Sequence, residues 1–463
     1  MRSQERLIDK LSRIVAPQRL LTDPAHLDEV SWDALSDGRI HPLRRPKTTL
    51  PLCVVLPVST AEVREIVLLA NDEKIPIVPY GGGSGLMGGA ISIQPGIVLD
   101  LRKMDRVLKI DKEARAVRVQ AGVVLESLEK SLNEQGLILG HDPWTLPVAT
   151  VGGAISTNSM GYRGGKYGSM GDQVLGLEVV LPTGEISRGK SVPKSSTGID
   201  LKHLFIGGEG CFGIITEATV RVFPLPEKRS LSGFRFPSFE QGFSVVQKIF
   251  ARGLKPALVD LGDEGDKVPS KAVLYLAFEG IKELVEAEEG ICLEICKKEK
   301  GNVIPEKEAE SFWRERHIIA YRFIHNRRSR RERSDDAIRR DWIHVALPAS
   351  KVLGFRKAAM EIVAKSGVSL QESGLWTQPE LFSMRLAIEN KDGDQAQKVL
   401  EETIDELLRL VQRTGGSMEY CHGVGVKLAP LMAEEHGYGL EVMRRIKRVL
   451  DPNGIMNPGK LGL

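Results

Sequence analysis

Pro79-Tyr80-Gly81-Gly82-Gly83-Ser84-Gly85-Leu86-Met87-Gly88 runs on into Gly89-Ala90-Ile91-Ser92-Ile93-Gln94-Pro95-Gly96, and the reading of this stretch decides the fold. Gly83 to Gly88 fits GxGxxG, follows a predicted strand (Ile75 to Pro79), and has Asp100 and Asp105 downstream. These are the marks of a dinucleotide-binding βαβ unit. That unit requires a helix to open at the glycines, because its N-terminus faces the pyrophosphate. Gly89, the β-branched Ile91 and Ile93, and Pro95 leave no room for one before the predicted strand Ile97 to Leu101. The predicted helix lies earlier, capped by Ser59 or Thr60, with Val63, Ile66, Val67 and Ala70 at helical spacing. Context therefore excludes a nicotinamide site of that kind.

A glycine loop with no helix behind it can still hold phosphate. Successive backbone N–H groups form an anion-binding nest, and glycine permits the φ values and close approach this needs. Similar clusters recur at Val151 to Gly171 and at Gly207 to Gly213. Any one alone also reads as a tight β-turn. Three within one block point to a long, anionic, diphosphate-like ligand.

Further out, the chain is of ordinary globular composition. It has 463 residues, 42% hydrophobic and 27% charged, so two or three domains are expected. The net charge of +3 is too small to suggest nucleic acid as a partner. Cys53, Cys211, Cys292, Cys296 and Cys421 form no CxxC pair, which fits a reduced, cytoplasmic setting. No apolar run approaches the roughly 20 residues of a membrane helix. At Pro224-Leu225-Pro226 glycine thins out and charge rises, marking a boundary. The expected division is 1–44 (an N-terminal helical segment), 45–225 (the glycine-loop domain), 226–420 (a second domain) and 421–463 (a C-terminal segment). Arg327, Arg328, Arg330, Arg331, Arg333, Arg339 and Arg340 form the most basic run. It reads as a solvated loop or as a peripheral contact with anionic lipid through Arg327–Arg340.

The three loops resemble those of the vanillyl-alcohol oxidase/PCMH-type FAD-binding flavoproteins. The first is similar to the family's pyrophosphate loop. Ala149-Thr150-Val151-Gly152-Gly153-Ala154-Ile155-Ser156-Thr157-Asn158 is similar to its second diphosphate and flavin segment. Gly207-Gly208-Glu209-Gly210-Cys211-Phe212-Gly213-Ile214-Ile215-Thr216 resembles its third, and Asp451-Pro452-Asn453-Gly454-Ile455-Met456-Asn457-Pro458-Gly459-Lys460 its terminus. The resemblance implies an α+β fold: a PCMH-type FAD-binding domain of two α/β subdomains, plus a cap whose antiparallel sheet is flanked by helices. The segment 421–463 would return to the FAD domain. It implies that Pro79, Tyr80, Gly81, Gly82, Gly83, Ser84, Gly85, Thr150, Gly152, Gly153, Thr157, Asn158, Glu209, Gly210, Gly213, Ile214 and Ile215 hold FAD. Some relatives attach FAD through His or Cys. The first loop has neither, so non-covalent FAD is expected.

Within the family the chain looks most like D-2-hydroxyacid dehydrogenases and alkylglycerone-phosphate synthase. The expected reaction is oxidation of a hydroxy acid or related alcohol by hydride transfer to flavin N5. A flavin-dependent transferase, or a flavoprotein subunit without catalysis, is the alternative. Phe312-Trp313-Arg314-Glu315-Arg316 resembles the dehydrogenases' W-x-x-R-E segment, which makes Arg314 a candidate carboxylate clamp, or else a surface arginine. Arg322, in Ile318-Ile319-Ala320-Tyr321-Arg322, resembles the synthase's substrate arginine. His422, in Cys421-His422-Gly423-Val424-Gly425, sits where the dehydrogenases have Glu-His-Gly, and a histidine can take a hydroxyl proton. The family's H-x-G-D-G-N-x-H metal segment is absent; the region reads Gly374-Leu375-Trp376-Thr377-Gln378-Pro379-Glu380, so no metal is expected. His-Gly-Val-Gly followed by Lys427 favours the synthase. Leu381-Phe382-Ser383-Met384-Arg385-Leu386-Ala387 lacks the synthase's tyrosine, and leaves Arg385 either facing substrate or structural. A small anionic substrate, a separate electron acceptor and an assembly of identical copies complete the expectation.

Overall fold

The computed structural model describes residues 2–35, 49–264, 268, 270–325, 337–389 and 391–463. Most of the basic run therefore lies outside the described residues. Strands Cys53–Val55, Ile97–Asp100 and Ile77–Tyr80 form a parallel sheet, with Leu20–Leu21 antiparallel at its edge. The helix Thr60–Glu73 starts where the sequence places it: Ser59 Oγ accepts from the Glu62 N–H at 3.2 Å. Its Val63, Ile66, Val67 and Ala70 are fully buried against the sheet. Each such Val or Ile contributes roughly 1.5–3 kcal/mol. After Tyr80 no helix forms until a single 3-10 turn at Leu101–Lys103.

A second sheet carries Val107–Asp111, Ala116–Gln120, Ile214–Pro224, Val174–Val180 and Ile186–Arg188 in that spatial order. Leu137–Leu139 pairs with the far end of Ile214–Pro224. The chain then passes through Leu225–Glu227 into a third, seven-stranded sheet. Its order is Asn302–Val303, Lys228–Phe236, Ala272–Gly280, Leu258–Asp263, Ser369–Trp376, Leu381–Glu389, Ile338–Ala346, antiparallel throughout. The architecture is thus α+β, with the helix-flanked antiparallel cap sheet that the resemblance implied.

Alternation along the cap strands sorts their side chains to two faces. Leu261, Phe382 and Met384 are buried on the helix side, where Phe239 and Phe355 meet the Phe382 ring edge-on at 6.0 and 5.8 Å. Asp260, Glu372, Trp376, Ser383, Arg385, Trp342 and His344 alternate with these and line a cavity of about 580 Å³. The last residues rejoin the first sheet. Ile77 N–H donates to Ile455 O at 2.7 Å, and Asn457 N–H donates to Ile77 O at 2.8 Å. Among the described residues no helix is long and apolar enough to cross a membrane. All five cysteines are buried and free.

Candidate active site

A cleft of about 1210 Å³ opens where the three glycine loops converge. Of the residues expected to hold FAD, all but one line it, from Pro79 through Gly85, Thr150, Gly152, Gly153, Thr157, Glu209 and Gly210 to Gly213, Ile214 and Ile215. Asn158 is the exception. It takes φ +48°, and its side-chain Oδ1 accepts from the Gly171 N–H at 3.0 Å, so it braces the neighbouring turn instead of lining the cleft. Thr150 caps the short helix Val151–Ser156, where the sequence suggested only loop. Gly82 must be glycine: a Cβ there would overlap the Val148 carbonyl oxygen.

The cleft suits a dinucleotide on its own chemistry. The N–H groups of Gly81, Gly83, Ser84 and Gly85 donate to no described residue. Four donors in one tight loop are what a diphosphate requires. Sequence reasoning missed Asp33, Trp144, Thr145 and Met160, which also line the cleft. Pro143-Trp144-Thr145 follows a short strand with no glycine signal to mark it. Its aromatic residue was the only available clue.

Glu209 ties the third loop to the His422 segment. Its φ is +46°, and its buried carboxylate accepts from the N–H groups of Val424 and Gly425. Burial raises its pKa to about 7 against those hydrogen bonds. Glu419 does the same for the preceding turn: its Oε1 accepts from the Cys421 N–H at 2.7 Å and the His422 N–H at 2.9 Å. Residues 417–420 pair with the cap strand Ile338–Ala346 through Ser417–Ala346 and Tyr420 N–H to His344 O. Together these contacts set His422 in the cleft wall beneath the cap, with its Nδ1 3.5 Å from Glu419 Oε1. Burial lowers the His422 pKa, but Cys421 and Glu419 outweigh it, so the net direction is upward.

The two arginines expected to meet substrate both lie on exposed faces of their helices. Arg314 is 72% exposed, donates to Ser311 Oγ at 3.2 Å and sits 3.8 Å from Glu315. Arg322 lies on the exposed side of the helix Ile318–His325. The reason is helical phase. Trp313 packs inward, which turns Arg314 out and brings Arg316, one helical turn on, over the indole at 4.0 Å. Arg316 Nε donates to Asp142 Oδ2 at 2.9 Å, and His317 Nε2 contacts Asp142 Oδ1 at 2.8 Å. This cluster joins the cap to the FAD domain. Arg385, which the sequence left undecided, faces the cap cavity, 3.8 Å from Glu372. Lys427, the sequence's support for a transferase, is buried in an ion pair with Asp341.

His344, Glu419 and His422 bring donor atoms within 4.8 Å of one another, which a divalent cation could bridge. No motif spacing announces this trio. Glu419 Oε1 is already engaged by two N–H groups.

Comparison with known proteins agrees with this geometry. Residues 51–190 match the family model for the FAD binding domain, and residues 225–461 match that for the C-terminal domain of FAD linked oxidases. The chain is 32% identical to the glycolate oxidase subunit GlcD of Bacillus subtilis (strain 168) over 432 residues, 89% of each. It is 30% identical to a D-lactate dehydrogenase of Anaerostipes hadrus, covering 98% of this chain and 97% of the other. A solved structure of alkyldihydroxyacetonephosphate synthase superposes with a TM-score of 0.81 at 23% identity, over 98% of this chain and 86% of that one. At that identity the likeness speaks for the fold alone.

Proposed function

Because the chain belongs to the FAD-linked oxidases, and is an oxidoreductase that holds FAD non-covalently, we propose that it oxidises the carbinol of a hydroxy acid or related alcohol. FAD, when bound, supplies a hydride acceptor at N5. The protein's own part is to orient the carbinol between the glycine cleft and the cap, and to take the hydroxyl proton on His422. Electrons then pass to a separate acceptor.

The observation that supports this reading is the placement of His422. It lines the cofactor cleft, and Glu419 holds its backbone and faces its Nδ1. A histidine oriented by a carboxylate is a standard proton acceptor. Two similar proteins bear the names of glycolate oxidase and D-lactate dehydrogenase, which supports a hydroxy acid as the substrate class. With Arg314 and Arg322 facing outward, Arg385 in the cap cavity and, when protonated, His422 in the cleft are the candidate carboxylate partners among the described residues.

Anaerobic stopped-flow reduction of the bound flavin tests the assignment. His422→Ala should slow reduction by about 10²–10⁴-fold, the usual contribution of a general base, with flavin content unchanged. Reduction at the wild-type rate would remove His422 from the mechanism.

A further inference from the structure

The cap sheet presents an unusual face toward the cofactor cleft. On the helix side the alternating residues are apolar and buried. On the other side Asp260, Glu372, Ser383 and Arg385 stand beside Trp342 and Trp376. Their places follow from strand register. Asp260 is paired with Trp376, Glu372 with Arg385, and Trp342 with Arg385 from the opposite strand. Between them Gly262 is paired with Gly374, so the centre of the face carries no side chain. The result is a cavity with polar and aromatic side chains set around Gly374, with Leu261, Leu375 and Met384 also in its lining.

Asp260 accepts no hydrogen bond from any described residue. Burial, and then Glu372, raise its pKa to about 7, so near neutrality it both donates and accepts. Ser383 Oγ lies 3.1 Å from the Tyr420 hydroxyl, which leads back along residues 417–422 to His422. The His344 ring is 4.4 Å from that of His422, centroid to centroid, so cavity and cleft share a wall.

We propose that this cavity receives the polyhydroxylated tail of the substrate, making the preferred substrate a sugar-acid-like hydroxy acid with several hydroxyl-bearing carbons beyond the oxidised one. The inference rests on the carbinol oxidation proposed above. Each hydroxyl both donates and accepts, which matches a wall that mixes two carboxyl groups, a serine and a guanidinium. An alkyl tail would leave Asp260, which accepts from no described residue, desolvated without a partner. The indole faces of Trp342 and Trp376 suit the C–H faces of a carbon chain held by its hydroxyls. Glycolate or lactate would be too short to enter.

The test uses the FAD-loaded protein and a length-matched set: lactate, 2-hydroxyhexanoate, and six-carbon aldonates of both configurations at the carbinol. Anaerobic flavin reduction gives kcat/KM for each. Perturbation of the flavin absorbance by the corresponding 2-keto acids gives equilibrium affinities. The aldonate that reacts is expected to exceed both lactate and 2-hydroxyhexanoate by roughly 10²-fold or more, since a site built to bind hydroxyls rejects analogues lacking them. Asp260→Asn and Glu372→Gln should each shrink that ratio at least tenfold, in kcat/KM and in product affinity alike. If 2-hydroxyhexanoate or lactate equals the aldonates, the cavity proposal is overturned and carbinol oxidation stands. A ratio that neither variant alters also overturns it. If no carbinol reduces the bound flavin, both readings fall.

Discussion

At the scale of single residues, His422 carries a pH signature. Its pKa is raised by Cys421 and Glu419 against the opposing effect of burial. A base works in its neutral form, so kcat/KM should rise with pH through an apparent pKa above the ordinary histidine value of about 6.5. Glu419→Gln removes a carboxylate that favours the imidazolium, and should move that limb to lower pH. A limb that stays put would assign the titration to another group. The glycines were legible one by one because a nest is local, written in a few consecutive residues. The arginines were not. Arg314, Arg316 and Arg322 are alike in composition, and only the inward packing of Trp313 decides that Arg316 turns in. The Asn158 side chain likewise answers to a residue thirteen positions away, Gly171.

At the scale of elements, a buried carboxylate sits at the centre of the junction between cap and FAD domain. Asp142 is buried. Burial alone would raise its pKa, but the His317 hydrogen bond, Arg163 and Arg316 hold it well below the usual carboxylate range. Such a group stabilises the fold above its unfolded pKa of about 3.9, and that contribution is lost as pH falls through its lower folded value. Asp142→Ala leaves Arg316 and His317 without their shared carboxylate, and should destabilise the protein by about 3–5 kcal/mol. Thermal unfolding measures it, and a Tm within a degree of wild type would contradict it. The cap strands themselves were partly legible. Leu381-Phe382-Ser383-Met384-Arg385-Leu386 alternates in the sequence. Which polar residues would share its face was not, because Asp260, Glu372 and Arg385 meet only through pairings between distant strands.

At the scale of the whole molecule, residues 451–463 close the cofactor cleft from behind. Asn457 Nδ2 donates to Gly89 O at 2.9 Å and to Glu209 O at 2.6 Å, bracing the first and third glycine loops at once. Lys460 Nζ donates to Ile91 O at 2.6 Å, and its pKa falls to about 8 through burial. Asn457→Ala, which keeps the chain length, should weaken FAD binding by roughly tenfold, the worth of one to two hydrogen bonds. Titration of the flavin-free protein measures this, and unchanged affinity would show that the loops hold their shape unaided. The terminus was legible as a resemblance, yet its role as a brace was not, since its partners lie more than two hundred residues upstream. That separation bears on biosynthesis. A ribosome will have released the glycine loops long before it makes Asn457, so a nascent chain has the loops but not the brace that joins them. Full cofactor affinity is therefore expected only once Asn457 has been made and has met both loops. Cells short of FAD should accumulate loosely closed protein, open to proteases around Asn457.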